Sequence, residues 1–397
     1  MGGWKKYNLK DVAEVQTGPF GSQLHASDYV TKGIPCIMPT NIGNRLEINT
    51  GEIAFISESD VQRLSRHKIK AGDIVYSRRG DVEKCAYITE NQDGWLCGTG
   101  CLRIRFTSTA VNSKFAAYYL STPEIKSWVL NSAVGTTMPN LNTSILGGLP
   151  LLVPPLQEQK LIASVLSSLD DKIDLLHRQS NTLESLAETL FMQWFVEEAG
   201  ESWDEITLST IADHVKSSIN PAKNPQTSFY HYSLPAFDEG QEPRQELGSE
   251  ILSNKYQVLP KSILMSKLNP RTPRIWRMDK VLASEFSVAS TEFQVVKPKD
   301  ESWYGFIYCF LKSPKVSQEL SNSAGGTSGS HQRVNPDDIF SLTFLRPPDD
   351  KVKKFNFATD EFWKKITRNK AEIRTLTRMR DTLLPKLMGG EVRLNSV

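Results

Sequence analysis

Apolar residues keep one helical period over a long stretch in the middle of the chain, from Pro154 to Glu198. Ile162, Leu166, Leu169, Ile173, Leu176, Ser180, Leu183, Ala187, Leu190 and Trp194 follow at alternating steps of four and three, a heptad seam with Ser180 and Ala187 as its weak points. Pro154 and Pro155 supply a stop and a fixed φ at the start, and Glu158 puts an acid near the N-terminal turn. The pattern predicts a helix of about 40 residues, on the order of 60 Å long. A core helix of one large domain is the alternative, but such helices usually run roughly 8 to 20 residues.

The seam requires a partner, and a second copy lies near the C-terminus. Adding 193 takes Pro154-Pro155 to Pro347-Pro348, Ile173 to Ile366, Leu183 to Leu376 and Leu190 to Leu383 without a gap, which marks an internal duplication. The second seam reads Phe355, Thr359, Phe362, Ile366, Asn369, Ile373, Leu376, Arg380, Leu383 and Leu387. Between Leu156 and Glu198 three basic residues face eight acidic ones; between Lys351 and Lys386 eleven basic residues face four acidic ones. Opposite charge favours pairing of the two helices with each other, in antiparallel sense, over self-pairing.

Outside the helices the pattern is of short segments, and it too repeats. Tyr7 to Glu14 matches Ile206 to Asp213, and Ile69 to Arg78 is answered by Val258 to Lys267, with Lys267 at the place of Arg78. The expected organisation is α+β: globular parts at 1–153 and 199–347, long helices at 154–198 and 348–397, and a pseudo-twofold duplication relating the halves. Within the first part the expected elements are a strand ending at Ser77-Arg78-Arg79, a strand from Trp95 to Arg105 kinked at Gly98-Thr99-Gly100, a helix from Lys114 to Leu130 and a strand from Leu149 to Val153. In the second, a strand is expected from Ile339 to Leu345.

Several loops carry side chains suited to nucleic acid. Gly18 to Gln23 holds Phe20 between two glycines, with Ser22 and Gln23 beside it, either a DNA contact or a tight turn plugged by a ring. Arg78 and Arg79 close a strand, where a planar guanidinium suits both guanine and phosphate; a solvated strand end is the alternative. Thr99 lies in the glycine kink, and Thr136, Thr137 and Asn140 lie in a polar loop whose counterpart holds Thr327, Ser328, Ser330, His331 and Gln332. Hydroxyl and amide groups of this kind bond phosphates and base edges, although surface turns use them as well. After Lys267 come Asn269, Arg271, Arg274 and Arg277 with Trp276 among them, either a backbone grip or a solvated edge strand.

Composition narrows the function. Net charge is +2, so any basic surface must be local. No run of 18 apolar residues occurs and the first residues lack the apolar core of a signal peptide, so a cytoplasmic location is expected. The five cysteines are odd in number and irregularly spaced, which fits reduced thiols, and the Cys97/Cys101 pair has no second pair or nearby histidine to make a metal site. No Gly-Lys dipeptide, Asn-Pro-Pro-aromatic run or His-Glu pair is present, which removes the usual ATP loop, adenine methyltransferase site and zinc-protease site. Asp337 with Asp349 and Lys351 has nuclease-like spacing, but these residues stand at a turn and at a helix start, and the first copy lacks them. Duplication, a two-helix spacer and absent catalytic motifs favour a bivalent binding module. The competing class is a structural adaptor bridging two protein partners.

The chain resembles the specificity subunits of type I restriction-modification systems. The resemblance is carried by Leu151-Leu-Val-Pro-Pro-Leu-Gln-Glu-Gln-Lys160, Leu169-Asp-Asp-Lys-Ile173, Leu183 to Ala187 with Trp194-Phe195, and Arg380-Asp-Thr-Leu-Leu-Pro-Lys-Leu387 with Gly389-Gly390-Glu391; Gly18 to Leu24 and Gly72-Asp73-Ile74 look like the family's target-recognition domains. The second helix departs from the pattern after Pro348, where Gln-Glu-Gln is absent. The resemblance implies two target-recognition domains held apart by an antiparallel coiled coil, each reading half of a split, asymmetric double-stranded DNA target. It further implies two methylation subunits that bind S-adenosylmethionine and modify adenines, two restriction subunits that use ATP and Mg, and no cofactor or catalysis in this chain.

Overall fold

A computed structural model describes residues 3–135, 139–281, 283–324 and 332–394. The chain forms two compact units, Met1–Leu175 with Glu372–Val397, and Leu176–Ala371, so each contains a globular head and a portion of both long helices.

In the first unit, strand Lys5–Asn8 pairs antiparallel with Pro150–Val153 and ties together the two ends of the head. A four-stranded antiparallel sheet follows in the order Ala13–Thr17, Cys101–Phe106, Ile74–Ser77, Cys85–Tyr87. A second sheet orders Tyr29–Val30, Ala54–Ile56, Ile34–Ile37 and Leu96–Cys97. The stretch expected as one kinked strand is therefore two, because Gly98-Thr99-Gly100 carries the chain from one sheet to the other. The helix expected from Lys114 to Leu130 is also two, Ser113–Leu120 and Pro123–Ser132. Thr122 is extended, as the residue before proline prefers, and Pro123 starts the next helix without needing its missing N–H.

The second unit repeats the plan. Glu205–Thr207 pairs with Thr343–Leu345, and a four-stranded sheet runs Ala212–His214, Phe293–Pro298, Ser262–Ser266, Ile275–Met278. Its other sheet has five strands, Ser218–Ile219, Lys255–Gln257, Ser287–Ala289, Ser228–Tyr232 and Arg244–Leu247. The strand expected from Ile339 to Leu345 is confined to Thr343–Leu345, preceded by a helix Pro336–Phe340 whose start Asp338 caps through the Asn335 amide at 3.1 Å. Asp349 accepts from Arg346 at 2.9 Å in the first turn of the last helix, so the nuclease-like carboxylates have structural places. Among the described residues, no group of three His, Cys, Asp or Glu stands together as a metal site. All five cysteines are buried and free, and burial pushes the Cys36, Cys85 and Cys309 thiols up to about 12. No helix among the described residues is long and apolar enough to cross a membrane.

The long helices span Leu156–Met192, continued by a π-turn Gln193–Glu197, and Asp349–Met388. In the first unit Lys172 meets Glu372 at 3.4 Å and Asp170 meets Arg380 at 3.1 Å; in the second, Ser180 meets Asn369 at 3.1 Å and Glu198 meets Lys351 at 3.7 Å. One numbering falls as the other rises, so the helices are antiparallel in each unit. The interruptions of the seams meet polar partners: Asn369 is fully buried and donates to Ser180 Oγ and Gln179 Oε1, and Arg380 lies on Asp170.

His67, buried in the first head, has a fixed tautomer. Arg66 Nε donates to Nε2, so Nδ1 carries the proton and donates to the Thr17 carbonyl at 3.0 Å, pinning the end of a strand. Burial, and then the Arg66 charge, hold this imidazole below its ordinary value of 6.5.

Two outcomes follow for stability. Leu176 is buried in the seam whereas Leu175 is half exposed, so Leu176→Asp should cost on the order of 3 kcal/mol or more in denaturant unfolding, against within about 0.5 kcal/mol for Leu175→Asp. Equal costs would mean the seam is misread. For His67, the unfolded chain takes up a proton before the folded one does. Its contribution is therefore present above pH 6.5 and lost as pH falls below it. The thermal midpoint should drop between pH 7.5 and 5.5, and His67→Gln should flatten that dependence.

Candidate nucleic-acid interface

In the first head three separate segments converge on the end of strand Ile74–Ser77. The Arg78 amide donates to the Gly100 carbonyl at 2.8 Å, and the Arg78 carbonyl accepts from the Leu141 amide at 2.9 Å. Arg79 forms an isolated antiparallel bridge with Asn140. The Arg78 guanidinium lies 5.4 Å from the centre of the Phe20 ring, which is itself 48% exposed. The loop holding Phe20 is closed by its own bonds, Gln23 N to Phe20 O at 2.8 Å and Phe20 N to Gln23 Oε1 at 3.2 Å. It sits so close to the glycine kink that a Cβ on Gly18 would run into the Gly98 carbonyl.

The electrostatics favour an acceptor-rich ligand. Lys84 occupies Asp81 at 2.7 Å, and no ion pair to Arg78 or Arg79 is formed among the described residues. Partial burial and then the neighbouring Arg79 charge depress the Arg78 pKa, and its Nε is enclosed without a hydrogen-bond partner among the described residues. A guanidinium remains charged under such conditions, so the pair is poorly compensated until acceptors arrive. Ser22 is exposed and Thr99 half-buried beside this cluster. Ser77 differs from expectation: it is buried and its hydroxyl donates to the Arg79 carbonyl at 3.0 Å, so it supports the turn from beneath. Thr136 and Thr137 lie outside the described residues.

The second head builds the corresponding place with the same backbone bonds. Lys267 N donates to Glu292 O at 2.8 Å, Lys267 O accepts from Val334 N at 3.0 Å, and Leu268 bridges Arg333. Lys267 thus stands where Arg78 stands, Glu292 where Gly100 stands and Arg333 where Asn140 stands. The side chains differ. Lys267 lies over the Tyr256 ring at 5.7 Å, and Arg333 pairs with Glu292 at 3.0 Å. Asn269 adopts a left-handed φ of 53°, donates to Thr272 Oγ1 at 2.7 Å, and its amide bonds the Gln332 carbonyl at 3.1 Å. Arg271 is exposed. Thr327, Ser328, Ser330 and His331 lie outside the described residues.

The basic run after Lys267 does not form one surface. Arg274 is held bidentately by Asp238 at 2.7 and 2.8 Å. Trp276 is 3% exposed, ringed by Tyr232, Phe237 and Phe293, and Arg277 is packed 4.1 Å from Trp363 and 4.2 Å from Tyr304 with Asp279 on its Nε. These two belong to the packing of the unit because the strand Ile275–Met278 is covered on both faces. Glu292 and Arg333 were not among the expected contacts, although a signal existed: the offset of 193 that relates the helices carries Asn140 to Arg333.

Residues 1–185 match the family model described as the type I restriction modification DNA specificity domain. The chain is 25% identical over 421 residues to the type I restriction enzyme MjaIX specificity subunit of Methanocaldococcus jannaschii, covering 99% of this chain and 94% of that protein. It is 22% identical over 477 residues to the HindI specificity subunit of Haemophilus influenzae, covering 99% of this chain and 100% of the other. In fold it is similar to the crystal structure of a type I restriction-modification S subunit from M. genitalium, with a TM-score of 0.58, 17% identity, and 99% and 97% of the two chains covered. With a repeated head, a paired-helix scaffold and these likenesses over nearly its whole length, the chain is similar to type I restriction-modification specificity subunits, and its first 185 residues match the DNA specificity domain of such systems.

Proposed function

We propose that residues 1–153 and 199–347 are two target-recognition domains, each reading one half of a bipartite, asymmetric double-stranded DNA target. Arg78, Arg79, Asn140, Phe20, Ser22 and Gln23 face the DNA in the first, where the enclosed Thr99 hydroxyl supports the turn instead, and Lys267, Asn269, Arg271 and Gln332 in the second. The chain directs adenine methylation and restriction carried out by partners: two methylation subunits with S-adenosylmethionine, and two restriction subunits with ATP and Mg. The long helices serve as the scaffold on which those partners assemble in the cytoplasm. One observation carries the reading: two heads share the backbone bonds around the Arg78 and Lys267 positions yet present different side chains there, as two readers of different half-sites would.

Methylome sequencing of a host carrying this chain and its methylation partner should return one motif in two unlike halves. Exchanging residues 4–152 for the first head of another family member should change one half only; a change in both would refute independent reading. Within the first head, an arginine bidentate to guanine should lose about 1–3 kcal/mol and relax a single position on Arg78→Ala or Arg79→Ala. A phosphate contact should instead weaken all sequences and lower the salt slope by roughly one. Binding titrated against salt on specific and scrambled duplexes separates these, and unchanged affinity, slope and specificity in both variants would remove the arginines from the interface.

A further inference from the structure

The second head places at the corresponding position an arginine held by a carboxylate, which has no counterpart among the described residues of the first. Its backbone frame is fixed by the bonds of Lys267 to Glu292 and Val334 and by the Leu268–Arg333 bridge, which match those of Arg78 to Gly100 and Leu141 and the Arg79–Asn140 bridge. At the Asn140 position stands Arg333, 62% exposed, with Nη2 donating to Glu292 Oε1 at 3.0 Å. Glu292 is 29% exposed and its Oε2 is enclosed with no hydrogen-bond partner among the described residues.

An exposed pair of this kind adds little to folding, about 0–1 kcal/mol, so stability alone gives it no purpose. It does two other things. Holding one corner of the guanidinium removes much of its rotamer freedom and leaves the rest of its five N–H donors turned to solvent in a set plane. It also sets an anion beside the cation: a phosphate approaching Arg333 meets the Glu292 charge, whereas the acceptors of a base edge are uncharged. Carboxylate-held arginine is thereby biased against the backbone and toward the bases.

We infer that Arg333, oriented by Glu292, is a specificity-determining residue of the second head, offering its fork to the N7 and O6 acceptors of a guanine in the half-site that this head reads. The assignment rests on the DNA-reading function proposed above. Arg333 is the base-contacting group; Glu292 is a positioning residue that acts through it.

The test uses the full-length chain assembled with its methylation subunit and a randomised duplex library, with bound DNA sequenced and affinities then titrated against salt. Arg333→Lys keeps the charge and loses the fork, so it should relax one guanine position of one half-site, with a loss of discrimination of roughly 5- to 150-fold, and leave the other half-site untouched. Arg333→Ala should relax the same position. Glu292→Gln should relax it partly and raise affinity for scrambled DNA, which a role in folding would not do. If Arg333→Lys retains full selectivity while Arg333→Ala weakens every sequence alike, Arg333 is a phosphate contact and the inference fails. It fails as well if neither variant changes the selected motif, the pair then being a surface ion pair only. A wild-type complex that selects no sequence overturns the proposed function itself, and this assignment with it.

Discussion

Each unit is completed by the antiparallel pairing of the two long helices, which joins the largest apolar cluster of each head. In the first, Ile162, Ala163 and Leu166 of one helix and Leu387 and Met388 of the other join the sheet and helices of the head in one apolar cluster. In the second, Ala187, Phe191 and Phe195 meet Phe355, Trp363 and Ile366 around the helix Tyr304–Lys312. The aromatic contacts there, Phe191 with Phe306 at 5.2 Å and Phe195 with Phe355 at 5.2 Å, bring head and both helices into one packing. Register is set where the seams are polar. The buried Asn369 amide donates to Ser180 Oγ and Gln179 Oε1, and a one-heptad slip would set it against Ile173 or Ala187 instead of the Ser180 hydroxyl.

Each head is also held to the first long helix by a tyrosine on a carboxylate. Tyr118 donates to Asp170 at 2.7 Å in the first unit; Tyr308 donates to Glu184 in the second, where Lys312 adds ion pairs to Glu184 at 2.6 Å and Glu188 at 2.5 Å. Burial comes first among the influences on Glu184 and opposes ionisation, but Lys312 and the Tyr308 hydroxyl outweigh it and hold the carboxyl below its ordinary range. These anchors account for part of the acidic excess of the first helix. The ion pairs of Lys172 with Glu372 and of Glu198 with Lys351 are partly exposed, so complementary charge acts in choosing the partner more than in holding it.

The long helices and the duplication were legible because both are periodic: a seam at steps of four and three, and one offset that needed no gap. The sheets were less so. Strands of two to six residues carry little alternation, and Gly98-Thr99-Gly100 reads as a kink within one strand when it is a crossing between sheets. The convergence of Phe20, Arg78, Arg79 and Asn140 was legible only as three separate polar or glycine-rich loops, since the bonds that unite them span more than 20 residues each. Arg277 misled for a physical reason. Arginine beside tryptophan in a basic run looks like a surface grip, yet a guanidinium sandwiched by Trp363 and Tyr304 and neutralised by Asp279 is stable inside.

Duplication followed by divergence explains why the places around Arg78 and Lys267 can change while the heads stay alike. The frame around each place is made of main-chain bonds, which any residue but proline can supply: amide to carbonyl at 2.8 Å from Arg78 to Gly100 and from Lys267 to Glu292. Side chains there are free to vary, because the cores beneath do not depend on them. What varies is the balance of charge. The first place has two arginines, an amide and no ion pair to either arginine among the described residues; the second has a lysine on a tyrosine ring and an arginine joined to a carboxylate. An unpaired arginine gains from any phosphate and so adds affinity to every sequence, whereas a paired one must be offered acceptors better than the carboxylate it already has. Under the DNA-reading function proposed above, two heads cut from one plan divide the work unequally, one supplying more of the general attraction and the other more of the choice.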